Sequence, residues 1–362
     1  MAEQITNYQC PNCLGALRFD GASGQLVCDN CDSKFGLAVI EQLYADKEQA
    51  AAAAGAEPQW DLSVTGNFSA EEAAHMRCYI CPSCAAEIIC DDTTAATSCP
   101  YCGNPSVAPG QFSGGLKPDF LIPFKLDKNA AAAALKAYYK GKKFLSKTFM
   151  ADNHIEEIKG VYVPFWLFDG ETEAAMRFRA TKVRTYTSGD YRITDTDHYR
   201  VTREGSVAFA KVPVDGSSKM PDAHMDAVEP FDYSGLAPFS TAYLPGFLAD
   251  KYDEDAETCS KRANERILAS TENAFAATAR GYATLTREYS NVILKKGEVK
   301  YALLPVWMLS TKWNGQNFLF AMNGQTGKLI GDLPVDKGLY WSWFFKIAAP
   351  LAAILAAVLF FL

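Results

Sequence analysis

A chain of 362 residues is long enough for two or more domains, and its 49% apolar and 21% charged content is that of a globular protein with a sizeable core. The net charge of −7 argues against a surface built to grip nucleic-acid phosphates, which needs a basic face. Eight of the eleven cysteines fall in metal-ligand spacing, and thiolates that hold zinc must stay reduced, so a disulfide-bonded secreted protein is disfavoured as well.

The start, Met1-Ala2-Glu3-Gln4, has neither a basic cluster nor an apolar run, and no secretory signal is expected. A first module occupies residues 6–36. In it Cys10-Pro11-Asn12-Cys13 precedes Cys28-Asp29-Asn30-Cys31, with fourteen residues between the pairs. A Cys-x-x-Cys turn aims both sulfurs at one point, and two such turns joined by a hairpin complete a tetrahedron. Leu17, Phe19, Leu26 and Val27 read as its short strands, with Phe35 as a cover. Residues 37–75 form a spacer, helical over about 37–57 through Leu37, Val39, Ile40, Leu43, Tyr44 and the run Ala50–Ala54, stopped by Gly55 and Pro58.

A second module, residues 76–107, repeats the first. Cys81-Pro82-Ser83-Cys84 precedes Cys99-Pro100-Tyr101-Cys102, again fourteen residues apart. The doubled register predicts two closed structural zinc sites, held by Cys10, Cys13, Cys28 and Cys31 and by Cys81, Cys84, Cys99 and Cys102. The usual iron–sulfur spacings differ, and the βαβ context of a redox Cys-x-x-Cys is missing. Modules this short need the ion to fold. Glu3, Asp20, Asp29 and Asp32 outnumber Arg18 and Lys34 in the first, and Glu87, Asp91 and Asp92 outnumber Arg77 in the second, so neither offers a cationic face. Cys78 stands in a legal pair with Cys81, but its counterpart in the first module is Asn7. Cys90, which matches Phe19, reads as a small apolar filler.

Residues 119–335 form a larger domain that reads as an internal duplication. Val161-Tyr162-Val163-Pro164-Phe165-Trp166-Leu167 returns as Ala302-Leu303-Leu304-Pro305-Val306-Trp307-Met308. Each is preceded by a helix, about 127–141 opened by Asp127 and about 253–278 opened by Asp253 or Asp255. The expected unit is a helix on an antiparallel sheet, present twice, with Trp166 and Trp307 as core anchors. Met176, Phe178 and Ala180 alternate with Arg177, Arg179 and Thr181 as in a strand. Asn323-Gly324 to Gly327 is a hairpin turn between Phe318-Leu319-Phe320 and Leu329-Ile330. Cys259 lies in line with Ala256, Ala263 and Ile267 on a face expected to be buried. Asp195, Asp197 and His198 form a carboxylate–imidazole cluster that reads as the exposed side of a strand rather than a catalytic group. His75, His154 and His224 lack recurring partners. Phosphate-loop, nucleophile-elbow and dinucleotide-loop patterns are absent, and no enzymatic activity is expected.

Residues 341–362 read as a transmembrane helix. Ile347–Leu362 holds no charged residue, Trp341 and Trp343 suit the interfacial belt, and Lys346 can snorkel. Lys337 and Lys346 flank its N-terminal side, which is therefore expected in the cytosol. The fold class expected is multi-domain: two small β-rich zinc ribbons, a duplicated α+β domain with an antiparallel sheet, and one C-terminal transmembrane helix, tail-anchored in the cell membrane as a single pass with the bulk in the cytoplasm.

On its two ribbons, its paired Pro-x-Trp strands and Phe320-Ala321-Met322-Asn323-Gly324-Gln325-Thr326-Gly327-Lys328, the chain resembles a bacterial family of membrane-anchored double zinc-ribbon proteins. Members are often labelled as TFIIB-type zinc ribbons or mislabelled as the primosomal helicase, whose ATP-driven motor motifs this sequence lacks. The resemblance implies encoding beside SPFH-domain (flotillin-like) proteins and homologues of phage shock protein A. It also implies a non-enzymatic scaffold that recruits such partners to the lipid bilayer during envelope stress, as a homo-oligomer or together with a paralogue. The alternative is a membrane-tethered nucleic-acid-binding ribbon protein, against which the local charge stands.

Overall fold

The structure, a computed structural model, describes residues 8–13, 15–21, 23–43, 60–62, 66–96, 98–110, 115–151 and 157–361. In chain order the elements are β1 (Leu17–Asp20), β2 (Gln25–Cys28), β3 (Lys34–Gly36), α1 (residues 37–43), β4 (Trp60–Asp61), α2 (Ala70–Ala74), β5 (Met76–Ile80), β6 (Glu87–Asp91), β7 (Ala108–Gly110) and β8 (Phe120–Leu121). Then come α3 (Lys128–Tyr139), α4 (Lys147–Ala151), β9 (Lys159–Ser188), β10 (Tyr191–Asp215), α5 (Asp222–Val228), β11 (Ala237–Pro238), β12 (Leu248–Asp250), α6 (Ala256–Thr278), β13 (Thr284–Trp313), β14 (Gln316–Asn323), β15 (Leu329–Gly331) and α7 (Lys337–Phe361). Residues 44–59 and 63–65 of the spacer, with the rest of the helix expected over 37–57, and His154 lie outside the described residues.

The chain divides into two compact units. One draws on Met1–Gln59, Glu171–Ala208 and Leu268–Lys296, the other on Trp60–Gly170, Phe209–Ile267 and Gly297–Leu362. In the first unit β1, β2 and β3 make a small antiparallel sheet, with Leu17 opposite Cys28 and Val27 opposite Lys34. Ile40 of α1 is buried. Elsewhere in this unit Ala174, Met176, Phe178 and Ala180 of β9 pack with Val201 of β10 and with Phe275 and Ala279 from the α6 side. Their spacing of two follows from the pleat, which sends alternate side chains to one face.

In the second unit the strands run in the order β11-β8-β13-β9-β12-β6-β5-β7. The centre is β13 beside β9, and their Val161–Phe168 and Tyr301–Leu309 stretches are buried throughout. Both faces of this sheet are covered, which is why these strands read as continuous apolar runs. Val161, Val163, Phe165 and Leu167 join Ala302, Leu304, Val306 and Met308 in one core layer with Met225 and Val228 of α5. Tyr162, Trp166 and Phe168 share another with Ala256, Cys259 and Ala263 of α6. Trp307 and Leu309 meet Ala131 and Leu135 of α3.

Read outward from its centre, the sheet repeats itself. β8 runs parallel to β13, Phe120 opposite Ala302, while β12 runs parallel to β9, Leu248 opposite Val161. Each short strand then meets an antiparallel neighbour, β11 or β6. The two tryptophans are exchanged in the same way. Trp166 Nε1 donates to the Glu254 carbonyl at 2.9 Å, and Trp307 Nε1 to the Leu126 carbonyl at 3.0 Å. Each acceptor directly precedes an aspartate whose carboxylate caps a helix, Asp255 accepting from Thr258 N–H and Asp127 from Ala130 N–H, both at 2.8 Å. So each half's long strand holds the other half's helix start. The expectation of an antiparallel sheet is corrected by these parallel pairs: the sheet is mixed, because the strand before each helix pairs across to the other half.

The Phe320–Lys328 stretch is a latch. Asn323, fully buried, donates from Nδ2 to the Val228 and Pro230 carbonyls at 3.0 and 3.2 Å, and its Oδ1 takes the N–H groups of Gln325 and Thr326. Gln325 both accepts from Asp232 N–H and donates to the Asp232 carbonyl. A Cβ at Gly324 would stand 2.6 Å from the Phe124 ring, so only glycine fits there.

Within Lys337–Phe360, α7 carries an 18-residue window of mean hydropathy 2.1, none of it buried against the rest of the chain. By length and composition it can cross a membrane. Asp336 caps it, accepting from Leu339 N–H at 3.0 Å. Pro350 frees the carbonyl four residues back, at Lys346, close to the polar end where water can reach it.

Candidate metal centres

Four copies of one backbone turn position the eight sulfurs. In each, the first cysteine's N–H donates to the carbonyl five residues on: Cys10 to Gly15 at 2.7 Å, Cys28 to Ser33 at 3.0 Å, Cys81 to Ala86 at 3.0 Å and Cys99 to Asn104 at 2.9 Å. In three of them the residue after the second cysteine is left-handed, Asp32 at φ 55°, Ala85 at 56° and Gly103 at 67°. Its N–H returns to the first cysteine's carbonyl at 3.0, 2.8 and 3.1 Å respectively. That reversal swings the second thiol back beside the first. Backbone N–H groups also face sulfur, Asn12 to Cys10 Sγ and Asn30 to Cys28 Sγ, both at 3.4 Å, which favours thiolate. At Gly15 a Cβ would fall 2.9 Å from Asn30 Cβ and 3.3 Å from Cys28 Sγ, so the first centre leaves no room for a side chain there.

The strands then bring the turns together. Cys10, Cys13, Cys28 and Cys31 form one group and Cys81, Cys84, Cys99 and Cys102 another, with all four Sγ atoms of each group within 4.8 Å of one another. Cys10–Cys31 and Cys13–Cys28 stand at 3.6 and 3.3 Å, and Cys81–Cys102 and Cys84–Cys99 both at 3.6 Å. Zinc–thiolate bonds near 2.3 Å in a tetrahedron put sulfurs about 3.8 Å apart, so both groups have the size such an ion needs. All eight thiols are free rather than disulfide-bonded. Each group could hold a metal ion with four sulfurs and no vacant position.

The two centres differ in setting. In the first, Cys10 and Cys28 are buried and Cys31 is exposed. Without an ion, hydrogen bonds from the Ser33 hydroxyl and backbone lower the Cys31 pKa to about 6. Gly15 N–H pulls Cys13 down, but bonds shared with Cys28 and Cys31 outweigh it and push Cys13 up to about 11. The second centre lies in the main core of its unit. Cys81 and Cys99 pack with Ile88, Val163 and Phe165, and β6 joins β12 through Ile89 opposite Ala249. Burial raises Cys81, yet the N–H groups of Cys84 and Ser83 bring it down to about 7, while burial drives Cys84 up to about 11. Neighbouring thiols cannot all ionise alone, and a divalent cation removes that conflict. Lys159, missed by sequence reasoning, belongs to this centre. Its Nζ donates to the Ser98 carbonyl at 2.7 Å; burial lowers its pKa and the charge of Cys99 opposes that. Were the four thiolates to hold a divalent ion, the Lys159 ammonium would offset part of their remaining negative charge.

The three remaining cysteines stand apart from both groups. Cys78 is buried in β5, and Cys90 donates to the Thr94 carbonyl at 3.1 Å. Cys259 is buried beside the Asp215 carbonyl on the face shared with Ala256, Ala263 and Ile267, and burial lifts its pKa to about 12. Asp195, Asp197 and His198 are exposed on β10. The pleat puts the two aspartates on one face and the histidine on the other. His75 pairs with Asp92 and His224 with Asp332.

Over 344 residues the chain is 36% identical to a protein of Bacillus subtilis (strain 168), uncharacterized protein YdjG, an alignment that covers 95% of this chain and 94% of the relative. No family model matches the chain, and no solved structure matches it.

Proposed function

The chain belongs to the family of that Bacillus subtilis protein, and we propose that it is a non-enzymatic, membrane-anchored adaptor whose two zinc ribbons and duplicated α+β domain gather protein partners at the bilayer. One observation carries this reading: the apolar surface of α7 is left uncovered in a chain that also bears two closed thiol tetrads. Ile347, Leu351, Ile354, Leu355, Val358 and Leu359 are each more than half exposed. Burying such a side chain fully is worth about 1.5–3 kcal/mol. Leaving six of them in water forgoes on the order of 5–10 kcal/mol, comparable with the whole stability of a domain. A lipid environment recovers that energy.

Zinc is the ion assigned to both tetrads, because all-thiolate tetrahedral sites select it. With four sulfurs on the ion, no position is left for a substrate, which favours a structural part. Lys337 and Lys346 at the entry of α7 and the need to keep thiols reduced both favour a cytoplasmic body at the cell membrane. The reciprocal strand pairing and exchanged tryptophan contacts support the duplication. Partners of the SPFH-domain and phage-shock-protein-A classes fit the family resemblance, and a homo-oligomer or an assembly with a paralogue belongs to the same reading.

Crosslinking the intact chain in membranes, followed by mass spectrometry of captured proteins, tests the proposal. Wild type is expected to capture a discrete partner set that Cys10→Ser with Cys13→Ser diminishes, while membrane attachment persists. Capture unchanged from wild type both in that variant and in one altered at Cys81 and Cys84 would contradict recruitment through the ribbons.

A further inference from the structure

We propose that the lysine-rich segment joining α3 to α4, set against the foot of α7, binds anionic phospholipid headgroups of the leaflet that α7 enters. The inference rests on the spanning reading of α7 and adds a ligand to it. Residues 128–151 hold six lysines and no aspartate or glutamate. Lys136, Lys140, Lys142, Lys143 and Lys147 are exposed, and among the described residues none of the five pairs with a carboxylate. Other lysines of the same unit are paired, Lys117 with Glu72 at 2.7 Å, Lys219 with Asp253 at 2.9 Å and Lys251 with Glu87 at 2.9 Å. Five cations without a carboxylate partner thus stand together on one short segment.

That place is fixed by contacts to the first turns of α7. Lys143 Nζ lies 4.5 Å from the centre of the Trp343 ring, and the Phe144 and Tyr340 rings are 5.7 Å apart. The Phe144 carbonyl accepts from Asp336 N–H at 2.9 Å. Tyrosine and tryptophan at a helix entry sit at headgroup depth, so the neighbouring ammonium groups stand at the level of the lipid phosphates. Phe144 and Met150 interrupt the lysines with exposed apolar surface, the mixture suited to a bilayer interface. Beside them a polar cleft of about 670 Å³, lined by Ser146, Thr148, Asn314, Gln316 and Lys337, offers hydroxyl, amide and ammonium partners to a phosphate and its polar substituent. Asp336, the carboxylate that lines this cleft, is engaged in capping α7.

The full chain is placed in lipid nanodiscs of phosphatidylcholine alone, or with phosphatidylglycerol replacing about one lipid in three, and its lysines are labelled with a membrane-impermeant amine reagent and quantified by peptide mass spectrometry. Labelling of Lys140, Lys142, Lys143 and Lys147 is expected to fall by about threefold or more in the anionic discs and to recover at high salt, while Lys261 on α6 is unchanged. Equal labelling in both discs, with the chain incorporated, overturns the lipid contact alone. Protection that is the same in both lipids but vanishes at one chain per disc assigns the face to a second copy and overturns it too. A chain that does not incorporate overturns the spanning reading of α7, and this proposal with it.

Discussion

Asp250 is wholly enclosed in its unit, and its carboxyl takes a 2.6 Å hydrogen bond from the Ser217 hydroxyl. Burial raises its pKa to about 7 in spite of that bond. Asp215 is lifted to about 7 by burial as well, against the pull of Arg262 at 3.0 Å. An acid whose folded pKa stands above its unfolded value near 4 takes up a proton on folding at any pH between the two. The folded state then binds the more protons, so stability is fullest below about pH 4 and declines as pH climbs through about 7. Asp250→Asn keeps the neutral shape and removes the ionisation. Thermal unfolding of the detergent-solubilised variant is therefore expected to exceed wild type by a small margin near pH 5 and by a larger one near pH 8. A lower midpoint at both values would show that the fold depends on the charged carboxylate. None of this was readable from the sequence, where Asp250 follows Leu248 and Ala249 as an ordinary strand-edge residue. Its enclosure comes from strands far away in the chain.

At the scale of elements, the two cysteine modules share their turns but not their surroundings. The first carries its own three-stranded sheet, whereas β5 and β6 of the second are strands of the large sheet. A structural zinc contributes about 10–16 kcal/mol to folding in small modules, as much as or more than a typical domain's total stability of about 5–15 kcal/mol. Losing it has a reach set by what the module touches. Cys81→Ser with Cys84→Ser should loosen β9, β12 and β13, while Cys10→Ser with Cys13→Ser should loosen only β1 to β3 and their near neighbours. Amide hydrogen exchange resolves the difference by peptide; equal loss of protection across Val161–Phe168 in both variants would refute the asymmetry. The cysteine turns were legible because ligand spacing is local. The helix starts at Asp127 and Asp255 were legible for the same reason, since a cap needs only its own first turn. The parallel pairs were not. β8 and β12 are two and three residues long, too short to show an alternation, and their partners lie far off in sequence. The matching Pro-x-Trp strands could be seen, but the carbonyls that Trp166 and Trp307 reach are 88 and 181 residues away.

For the whole molecule, a body with two thiol tetrads is joined to one long apolar helix. Ending the chain after Asp336 removes α7 and should move the protein from the carbonate-resistant membrane fraction to the soluble one, with its zinc retained. A truncated chain that still resists alkaline extraction would place the anchor elsewhere. The apolar tail was plain in the sequence because a lipid-facing helix needs no pattern beyond length and hydropathy. Its neighbourhood was not, for Lys143 and Phe144, which meet Trp343 and Tyr340, sit about two hundred residues earlier in the chain. The most direct test of the account is elemental analysis of the full-length chain purified under reducing conditions. Two zinc ions per chain are expected, one released when Cys10 and Cys13 are changed together and the other when Cys81 and Cys84 are. A content well below two, or iron in place of zinc, would contradict it.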